Sequence, residues 1–484
     1  MGVSCHLKNF RFILTTKGKR KMNNLTKTEN NATPYLSSLS PVLDLFAGIG
    51  AMRNWAAEQI LESFSEAYDR DPERALKVLF WGRAARIGAG ERKTVHTILD
   101  RINAACPTFI ANNASVLADL GYYKDLALYM DNPGVVKYWA TKIRAKDRLA
   151  CKWAPRKGSA AKALTKELGM TNKEYRKHLK ANSATVEQLM SSKDFGSIEY
   201  PSVPGRAMRG YRKAFDRNDK ERFQAFLDGK GTAAVSASYP TDVISLVQHG
   251  SDTDHKLAEK QWENLEDFIL EGENIMSIVD VSYSMDVEVP GTNIRCWDVS
   301  AALGLYISER TKGSFKDTVI TFESNPQMVN LKETGIVARY REMMEVNWGG
   351  STNFEAAYNL LLDSAQGFNV PQEQMPTMLL CISDMQFDRA SDTRMTHLDD
   401  IKARYKEAGY TMPKLVFWNV NARPNQQPAR HDDPGVALVS GFSPAIMKAI
   451  LSCEDFNPLE VMREAIAPIE LNFDEIPDAK DLRS

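Results

Sequence analysis

The sequence predicts a multidomain protein in which an all-helical part precedes an α/β part. From about residue 40 to 245, apolar residues such as Ile60, Phe64 and Ala67 recur at three- and four-residue spacing, which is typical of amphipathic helices. After about residue 270, apolar runs of strand length alternate with helical segments. Strands alternating with helices predict a doubly wound, Rossmann-like parallel sheet that helices cover on both faces.

Composition fits a soluble protein of this size. The 484 residues suffice for two or three domains, and 43% apolar and 25% charged residues are ordinary globular values. No apolar run approaches the roughly 20 residues that a membrane-spanning helix needs. Six scattered cysteines form no Cys-x-x-Cys pair, which argues against a disulfide framework or a zinc site. We therefore expect a cytoplasmic protein that does not engage membranes.

Changes in composition and hydrophobic pattern along the chain predict five segments. They are a flexible tail (1–35), a helical module (36–250), a connecting helix (251–271), an α/β domain (272–470) and an acidic C-terminal tail (471–484).

The opening stretch VLDLFAGIGAMRN, residues 42–54, could be the glycine loop of an S-adenosylmethionine-dependent methyltransferase. That interpretation requires VLDLF to be a strand and further strands to follow, whereas the pattern after it is helical. The sequence instead favours an opening helix with Leu43, Phe46, Ile49 and Trp55 on one face. Its glycines would permit a close crossing or a break, and the methyltransferase remains a less favoured alternative.

The most informative residues for chemistry follow the apolar run IMSIV. Asp280, Ser282 and Ser284 come directly after this predicted first strand, at the edge where open α/β sheets bind ligands. Thr352 follows a Gly-Gly turn at the start of a helix, and Asp384 ends another buried strand. Carboxylate and hydroxyl oxygens suit Mg²⁺ or Mn²⁺. These five side chains are therefore our candidate metal ligands.

This set resembles the metal-ion-dependent adhesion site (MIDAS) of von Willebrand factor A (vWA) domains, in which Asp-x-Ser-x-Ser, Thr and Asp occur in this order. The resemblance implies direct metal binding by the hydroxyls, and a vacant coordination position for an anion such as a partner's carboxylate. Ser351 stands where the family often has glycine, and it is the second choice to Thr352 as a ligand.

Two other interpretations of the Asp-x-Ser-x-Ser segment remain. One is an ordinary serine-rich turn, with Thr352 only capping its helix. The other is a haloacid-type phosphatase, which needs a second acid where Ser282 stands. A metal held mostly by hydroxyls lacks a general base, so we expect binding rather than catalysis.

A second resemblance lies in LFWGRAARIGAGER, residues 79–92, which is similar to the Phe-x-x-Arg-Asp-x-Arg-x-Gly-x-Gly-x-Arg stretch of the TROVE module of Ro ribonucleoproteins. It is closer still to the family called domain of unknown function 2828, which KWAPR, EYRKHL, VEQLM, VPGRAM and AFDRNDKERF also match in order. Ala84 departs from the usual aspartate. The resemblance covers about residues 40–460 and implies a HEAT-like, TROVE-like helical-repeat module.

The net charge of −1 is close to zero, but the positive charges are concentrated in the helical part of the sequence. Residues 142–180 hold thirteen Lys or Arg and three Asp or Glu, whereas residues 454–484 hold nine acids and three bases. Lys and Arg supply the phosphate contacts that dominate affinity for nucleic acids, and interleaved aromatic residues could stack on unpaired bases. Those aromatic residues are Trp153, Tyr175, Tyr200 and Tyr211.

The Ro-like resemblance implies a ring of helices that binds single-stranded RNA in its channel and structured RNA outside. It supplies these candidate RNA contacts: Arg83, Arg86, Arg92, Lys152 and Arg156. We therefore predict a non-catalytic RNA-binding protein, a ribonucleoprotein scaffold or quality-control factor, with a Mg²⁺- or Mn²⁺-binding vWA domain. The alternative is a protein-interaction module whose metal grips an acidic residue of a partner.

Overall fold

The computed structural model describes residues 35–229, 231–234, 238–248, 250–269, 273–289, 294–323, 325–346, 354–385, 395–423 and 426–483. Apart from Tyr35, the N-terminal segment predicted to be a flexible tail lies outside these residues. Tyr35 itself pairs with Gln427 in an isolated antiparallel bridge. Their two backbone N–H groups donate to each other's carbonyls at 2.9 and 2.8 Å.

Sixteen α-helices precede the first strand in the described part of the chain. They are α1 Pro41–Ile49, α2 Ala57–Arg70, α3 Pro72–Arg83, α4 Lys93–Ala105, α5 Pro107–Asn112, α6 Ala114–Leu120, α7 Tyr123–Leu126, α8 Pro133–Arg144, α9 Arg148–Trp153, α10 Gly158–Leu168, α11 Asn172–Ser183, α12 Val186–Ser191, α13 Gly205–Asn218, α14 Lys220–Asp228, α15 Pro240–Gln248 and α16 Asp252–Glu263. Short 3₁₀ helices span Met52–Asn54, Ala127–Tyr129, Phe195–Ser197 and Tyr200–Ser202.

Local sequence explains where these helices begin and which face they bury. Asp71 accepts a hydrogen bond from the backbone N–H of Arg74 at 3.0 Å, and Pro72 occupies the first position of α3. The predicted apolar stripe of α2, formed by Ile60, Phe64 and Ala67, is buried. Helical periodicity in this half of the sequence is thus confirmed by the packing.

The second half is a six-stranded sheet with its helices. The strands are β1 Ile275–Val279, β2 Thr318–Thr321, β3 Met328–Asn330, β4 Met378–Ser383, β5 Lys414–Asn419 and β6 Val436–Ser440, in the order β3-β2-β1-β4-β5-β6. The helices are α17 Cys296–Arg310, α18 Ile336–Met344, α19 Phe354–Gly367, α20 Met395–Glu407, α21 Met447–Ser452, α22 Pro458–Ile466 and α23 Ala479–Leu482. Further 3₁₀ helices span Tyr283–Met285, Gln372–Gln374 and Pro444–Ile446.

Five of the six strands lie in apolar runs of strand length in the sequence, which are NIMSIVDVS, DTVITFES, MPTMLLCISDM, PKLVFWNV and GVALVSGF. The exception is β3, a three-residue edge strand that pairs antiparallel with β2 and is only partly buried. The sheet is therefore mixed and not wholly parallel as expected. A half-exposed strand of three residues has no apolar run long enough to mark it.

The opening stretch, residues 42–54, lies mostly in helix α1, and the residue that ends this helix contacts the sheet domain closely. VLDLF lies within α1, so the strand that a methyltransferase requires is absent from this stretch. Gly50 ends the helix, and its N–H donates to Ser440 Oγ at 3.0 Å. A β-carbon at Gly50 would lie 2.7 Å from the Ser440 carbonyl oxygen and 2.8 Å from Gly441 Cα. Trp55 lies beyond α1, contrary to prediction, and its indole donates to the Ala422 carbonyl at 2.7 Å.

The other end of the helical module also contacts the sheet domain. Gln248, the last residue of α15, donates through Nε2 to Tyr340 Oη at 3.0 Å. The carboxylate of Glu259 in α16 accepts the N–H groups of Ile336 and Val337 at 2.8 and 3.0 Å and so caps α18. Both ends of the helical module are therefore hydrogen-bonded to the sheet domain.

The segment predicted to be an acidic C-terminal tail packs on the first helices. The Tyr68 hydroxyl donates to the Pro477 carbonyl at 2.6 Å. Asn113 and Asn472 exchange two hydrogen bonds of 2.8 and 3.0 Å, and Leu482 is buried. None of the described helices is both long and apolar enough to cross a membrane.

Candidate metal centre and basic cleft

The two candidate aspartates lie side by side because their strands are neighbours. Asp280 follows β1 and Asp384 follows β4, and these parallel strands pair in register with Val279 opposite Ile382. The N–H of Asp280 continues this ladder by donating to the Ile382 carbonyl at 3.2 Å. Both aspartates are buried at the carboxyl edge of the sheet.

The turn after β1 directs two hydroxyls toward these carboxylates. The N–H of Ser282 donates to Asp280 Oδ1 at 2.9 Å, which folds the turn back on the strand end. Ser282 Oγ lies 3.2 Å from Ser284 Oγ, and Ser284 donates to Asp384 Oδ1 at 3.2 Å. Adjacent ligands of an octahedral Mg²⁺ with bonds near 2.1 Å lie about 3.0 Å apart. The spacing of these oxygens therefore fits such an ion.

Two further serines, which sequence reasoning missed, orient the site. Ser383 donates to Asp280 Oδ2 at 2.5 Å and accepts the N–H of Met385 at 3.0 Å. Ser300, buried in α17, donates to the Ile382 carbonyl at 2.8 Å and accepts the Asp280 N–H at 3.1 Å. Met385 has a positive φ of 63°, which turns the chain sharply after Asp384. The sequence does contain a signal for both serines, because each places a hydroxyl within an otherwise apolar strand or helix.

Thr352 and its alternative Ser351 lie outside the described residues, so four of the five predicted ligands are brought together here. Within the described ranges, no group of three or more His, Cys, Asp or Glu side chains is arranged to hold a metal. The candidate centre thus relies on hydroxyls for half of its described ligands. Beside it, the Tyr283 side chain is 90% exposed.

A second feature is a basic cleft of about 840 Å³ where α3, α4, α13 and α15 meet the sheet domain. Its basic lining consists of Arg53, Arg83, Arg92, Lys93, Arg206 and Arg209. Its aromatic lining consists of Tyr122, Tyr239 and Phe442. Residues from both ends of the helical module therefore share one cavity with a loop of the sheet domain.

The RIGAGER loop between α3 and α4 shapes one wall of this cleft. The Tyr239 hydroxyl donates to the Ala85 carbonyl at 3.0 Å, which ties α15 to the loop. Gly90 has a φ of +67°, and a β-carbon there would lie 1.9 Å from Tyr239 Oη. Only glycine fits both the left-handed backbone and this close approach.

Three carboxylates in and around the cleft are already paired with arginines. Glu91 is paired with Arg53, Asp242 with Arg209 at 3.2 Å, and Asp125 with the buried Arg83 at 2.7 Å. The other three basic side chains of the lining are Arg92, Lys93 and Arg206. No carboxylate among the described residues lies within 4.0 Å of their charged nitrogens.

Several arginine charges of the cleft repel one another. Burial lowers the pKa of Arg92, and the positive charges of Arg83 and Arg206 lower it further. Burial likewise lowers the pKa of Arg209, although Asp242 opposes the change. An anion bound among these guanidinium groups would relieve the repulsion.

The five predicted RNA contacts are not gathered in one place. Arg92 lines the basic cleft, and Arg83 lies at its base with its guanidinium held by Asp125. Arg86 is exposed and lines a neighbouring cavity of about 240 Å³. Lys152 lies 3.8 Å from Glu187, and the exposed Arg156 donates to the Lys152 carbonyl at 3.1 Å. The cleft residues Arg53, Lys93, Arg206 and Arg209 were not among the five predicted contacts, although Arg206 and Arg209 belong to the basic stretch of the sequence, because the cleft joins segments far apart in the chain.

The four aromatic residues expected to stack on bases are either buried or already in contact with other side chains. Tyr175 and Tyr200 are buried in the core. The Tyr211 hydroxyl donates to Glu187 Oε1 at 3.1 Å. Ammonium groups of two lysines lie 4.6 and 5.1 Å from the Trp153 ring. The predicted stacking surface is therefore wrong for the two buried tyrosines.

Comparison with known proteins matches each half of the chain to a family. Residues 28–132 and 140–272 match a domain of unknown function (DUF2828), and residues 274–473 match another domain of unknown function (DUF7788). Uncharacterized protein L728 of Acanthamoeba polyphaga mimivirus is 26% identical over 520 residues, covering 93% of this chain and 89% of that protein.

Among solved structures, the crystal structure of the Deinococcus radiodurans RO (RSR) protein matches at 15% identity, covering 88% of this chain and 93% of that one, with a TM-score of 0.34. That TM-score is too low to establish a common fold. The first family match confirms the predicted resemblance to DUF2828 for the helical part, and this part of the chain belongs to that family. The resemblance was expected to continue to about residue 460, whereas the part after residue 272 matches DUF7788 instead.

Proposed function

We propose that this protein is a non-catalytic RNA-binding protein of the Ro-like, ribonucleoprotein type. The basic cleft is the observation that carries the proposal. Its three cations without a carboxylate partner lie in a concave surface of about 840 Å³, where a flexible polyanion can contact several of them together. The TROVE-like sequence motif runs through one wall of this same cleft and supports the same function.

The second part of the proposal is a vWA-like domain that binds Mg²⁺ or Mn²⁺. The strand order 3-2-1-4-5-6 is that of doubly wound sheets, whose ligands bind at the carboxyl ends of the strands. Asp280, Ser282, Ser284 and Asp384, together with Thr352, would hold the ion. When bound, the ion would supply a coordination position for an anion. Ser383 and Ser300 would keep the Asp280 carboxylate in place.

A second candidate function is metal-dependent capture of an acidic protein partner. The observation in its favour is Tyr283, an almost fully exposed aromatic side chain beside the candidate metal centre. Large aromatic residues are enriched at protein interfaces. The five cysteines in the described residues are free thiols, in keeping with the cytoplasmic location that we infer for either function.

Binding of RNA is tested by filter binding of a mixed-sequence, single-stranded 20-nucleotide RNA. For single strands the logarithm of the affinity falls with slope about −0.7 per phosphate contact. Three contacts, one for each unpaired cation, therefore predict a loss of about 20-fold between 50 and 200 mM salt. No RNA affinity at 50 mM salt would refute the proposal and favour the protein-partner function.

Metal binding is tested by titration calorimetry with Mg²⁺ and Mn²⁺. We expect one ion per chain in the wild type and none in Asp280→Ala. The matched control is Asp286→Ala, because Asp286 is an exposed acid on the same rim and is paired with Arg295. Stoichiometric metal in Asp280→Ala would show that the ion binds elsewhere.

A further inference from the structure

We propose that Arg92, Lys93 and Arg206 form a phosphate-binding site that holds the backbone of single-stranded nucleic acid without reading its bases. This inference rests on the proposed RNA-binding function and assigns the chemical group that the cleft recognises. It predicts that RNA and DNA bind alike and that base identity matters little.

The three cations come from two segments that meet across the cleft. Arg92 and Lys93 stand at the start of α4, and Arg206 stands in the first turn of α13. All three side chains line the same cavity, and the Arg206 charge lowers the pKa of Arg92. The Lys93 ammonium donates to the Arg53 carbonyl at 2.8 Å, which holds it at the cleft. The cations therefore form one cluster although more than a hundred residues separate them in the chain.

Neither helix start offers these charges an acidic partner. Helix N-termini carry partial positive charge and ordinarily attract acids, yet the first turns of α4 and α13 contain none. Both turns carry a basic residue instead. A phosphate among the three side chains would offset their repulsion and accept their N–H donors.

Two of the three aromatic rings of the cleft already pack against arginines, which argues against base stacking. The guanidiniums of Arg83 and Arg92 each lie 5.2 Å from the centre of the Tyr122 ring. Arg53 covers Phe442 at 3.9 Å. The hydroxyl of the third ring, Tyr239, donates to the Ala85 carbonyl. Two of the three rings thus have arginines over them, whereas base recognition in single strands needs open ring faces.

The decisive experiment measures fluorescence anisotropy of labelled 12-nucleotide strands: mixed-sequence RNA, DNA of the same sequence, and adenine and uracil homopolymers. For the wild type we expect affinities within about threefold of one another at equal salt, because each strand offers the same phosphates. A loss of more than thirtyfold for DNA, or for one homopolymer, would overturn the inference by showing ribose or base recognition.

The variant Arg92→Gln/Arg206→Gln should weaken every strand at least tenfold and reduce the salt slope by about 1.4, at 0.7 per lost contact. The matched control Arg176→Gln/Lys177→Gln removes two exposed charges from α11 and should leave affinity within about threefold. Circular dichroism and thermal melting would establish that both variants fold. Equal RNA binding by the cleft variant and the wild type would overturn the site and leave the proposed function standing.

A parallel titration with tripolyphosphate separates the two proposals. Tripolyphosphate should compete with RNA in the wild type and should bind the cleft variant at least tenfold more weakly. If the wild type binds tripolyphosphate but no oligonucleotide, RNA binding is refuted while a site for free phosphate groups remains. If the wild type binds neither, both proposals fail.

Discussion

Replacing Asp125 by asparagine should strongly destabilise the helical module. The Asp125 side chain accepts hydrogen bonds from Arg83 Nε at 2.7 Å, from the Tyr122 N–H at 3.0 Å, and bonds His96 Nε2 at 3.1 Å. Arg83 is 1% exposed and Asp125 is 3% exposed. Asp125→Asn keeps the shape of the side chain but leaves a guanidinium buried without its counter-charge, which costs about 3–5 kcal/mol.

Urea denaturation at pH 7, followed by circular dichroism, would measure this loss as a shift of the midpoint at constant slope. The control Asp119→Asn alters an exposed acid of α6 and should cost less than about 0.5 kcal/mol. The double variant Arg83→Met/Asp125→Leu should recover most of the loss, because it removes both charges together. A loss below about 1 kcal/mol in Asp125→Asn would refute the structural role that we assign to Arg83.

The same pair has a defined pH dependence. Burial raises the pKa of Asp125, but the hydrogen bond from His96 and the charge of Arg83 outweigh it, so the net pKa is below its ordinary value. The stabilisation is therefore present above the unfolded-state pKa, about 4, and is lost as pH falls through the lowered folded-state pKa. Unfolding of Asp125→Asn should depend less on acid pH than unfolding of the wild type.

Three further predictions concern the junctions and the metal centre. Gly50→Ala should lower the free energy of unfolding by about 1–3 kcal/mol, since its β-carbon would overlap the backbone at Gly441, whereas Gly196→Ala, with open space around it, should be near neutral in the same urea assay. Burial raises the pKa of Asp298, so stability should decline as pH rises through that raised pKa, and Asp298→Asn should flatten the decline in pH-dependent thermal melting. Ser383→Ala should weaken Mg²⁺ affinity about 10- to 100-fold in calorimetry, because Asp280 loses its orienting hydroxyl; unchanged affinity would exclude that role.

The sequence was informative where a feature is encoded locally. The apolar runs marked five strands, and the Asp-x-Ser-x-Ser spacing marked a turn whose oxygens converge with Asp384. It was uninformative where function depends on distant segments. Arg206 and Arg92 line the same cleft only because the start of α13 lies near the RIGAGER loop. The sequence of neither segment predicts that proximity. Similarly, β3 is too short for a periodic signal, and the burial of Tyr175 and Tyr200 follows from tertiary packing.

The contact between Gly50 and Ser440 joins residues 390 positions apart. At about 5–20 residues per second, a ribosome needs roughly 20–80 s to make the chain between them. During that interval α1 lacks the edge strand β6 against which it packs, and that apolar face is open to chaperones or to aggregation. The junction between the two halves therefore forms only after residue 440 has been made, and separate production of either half should leave this part of the core incomplete.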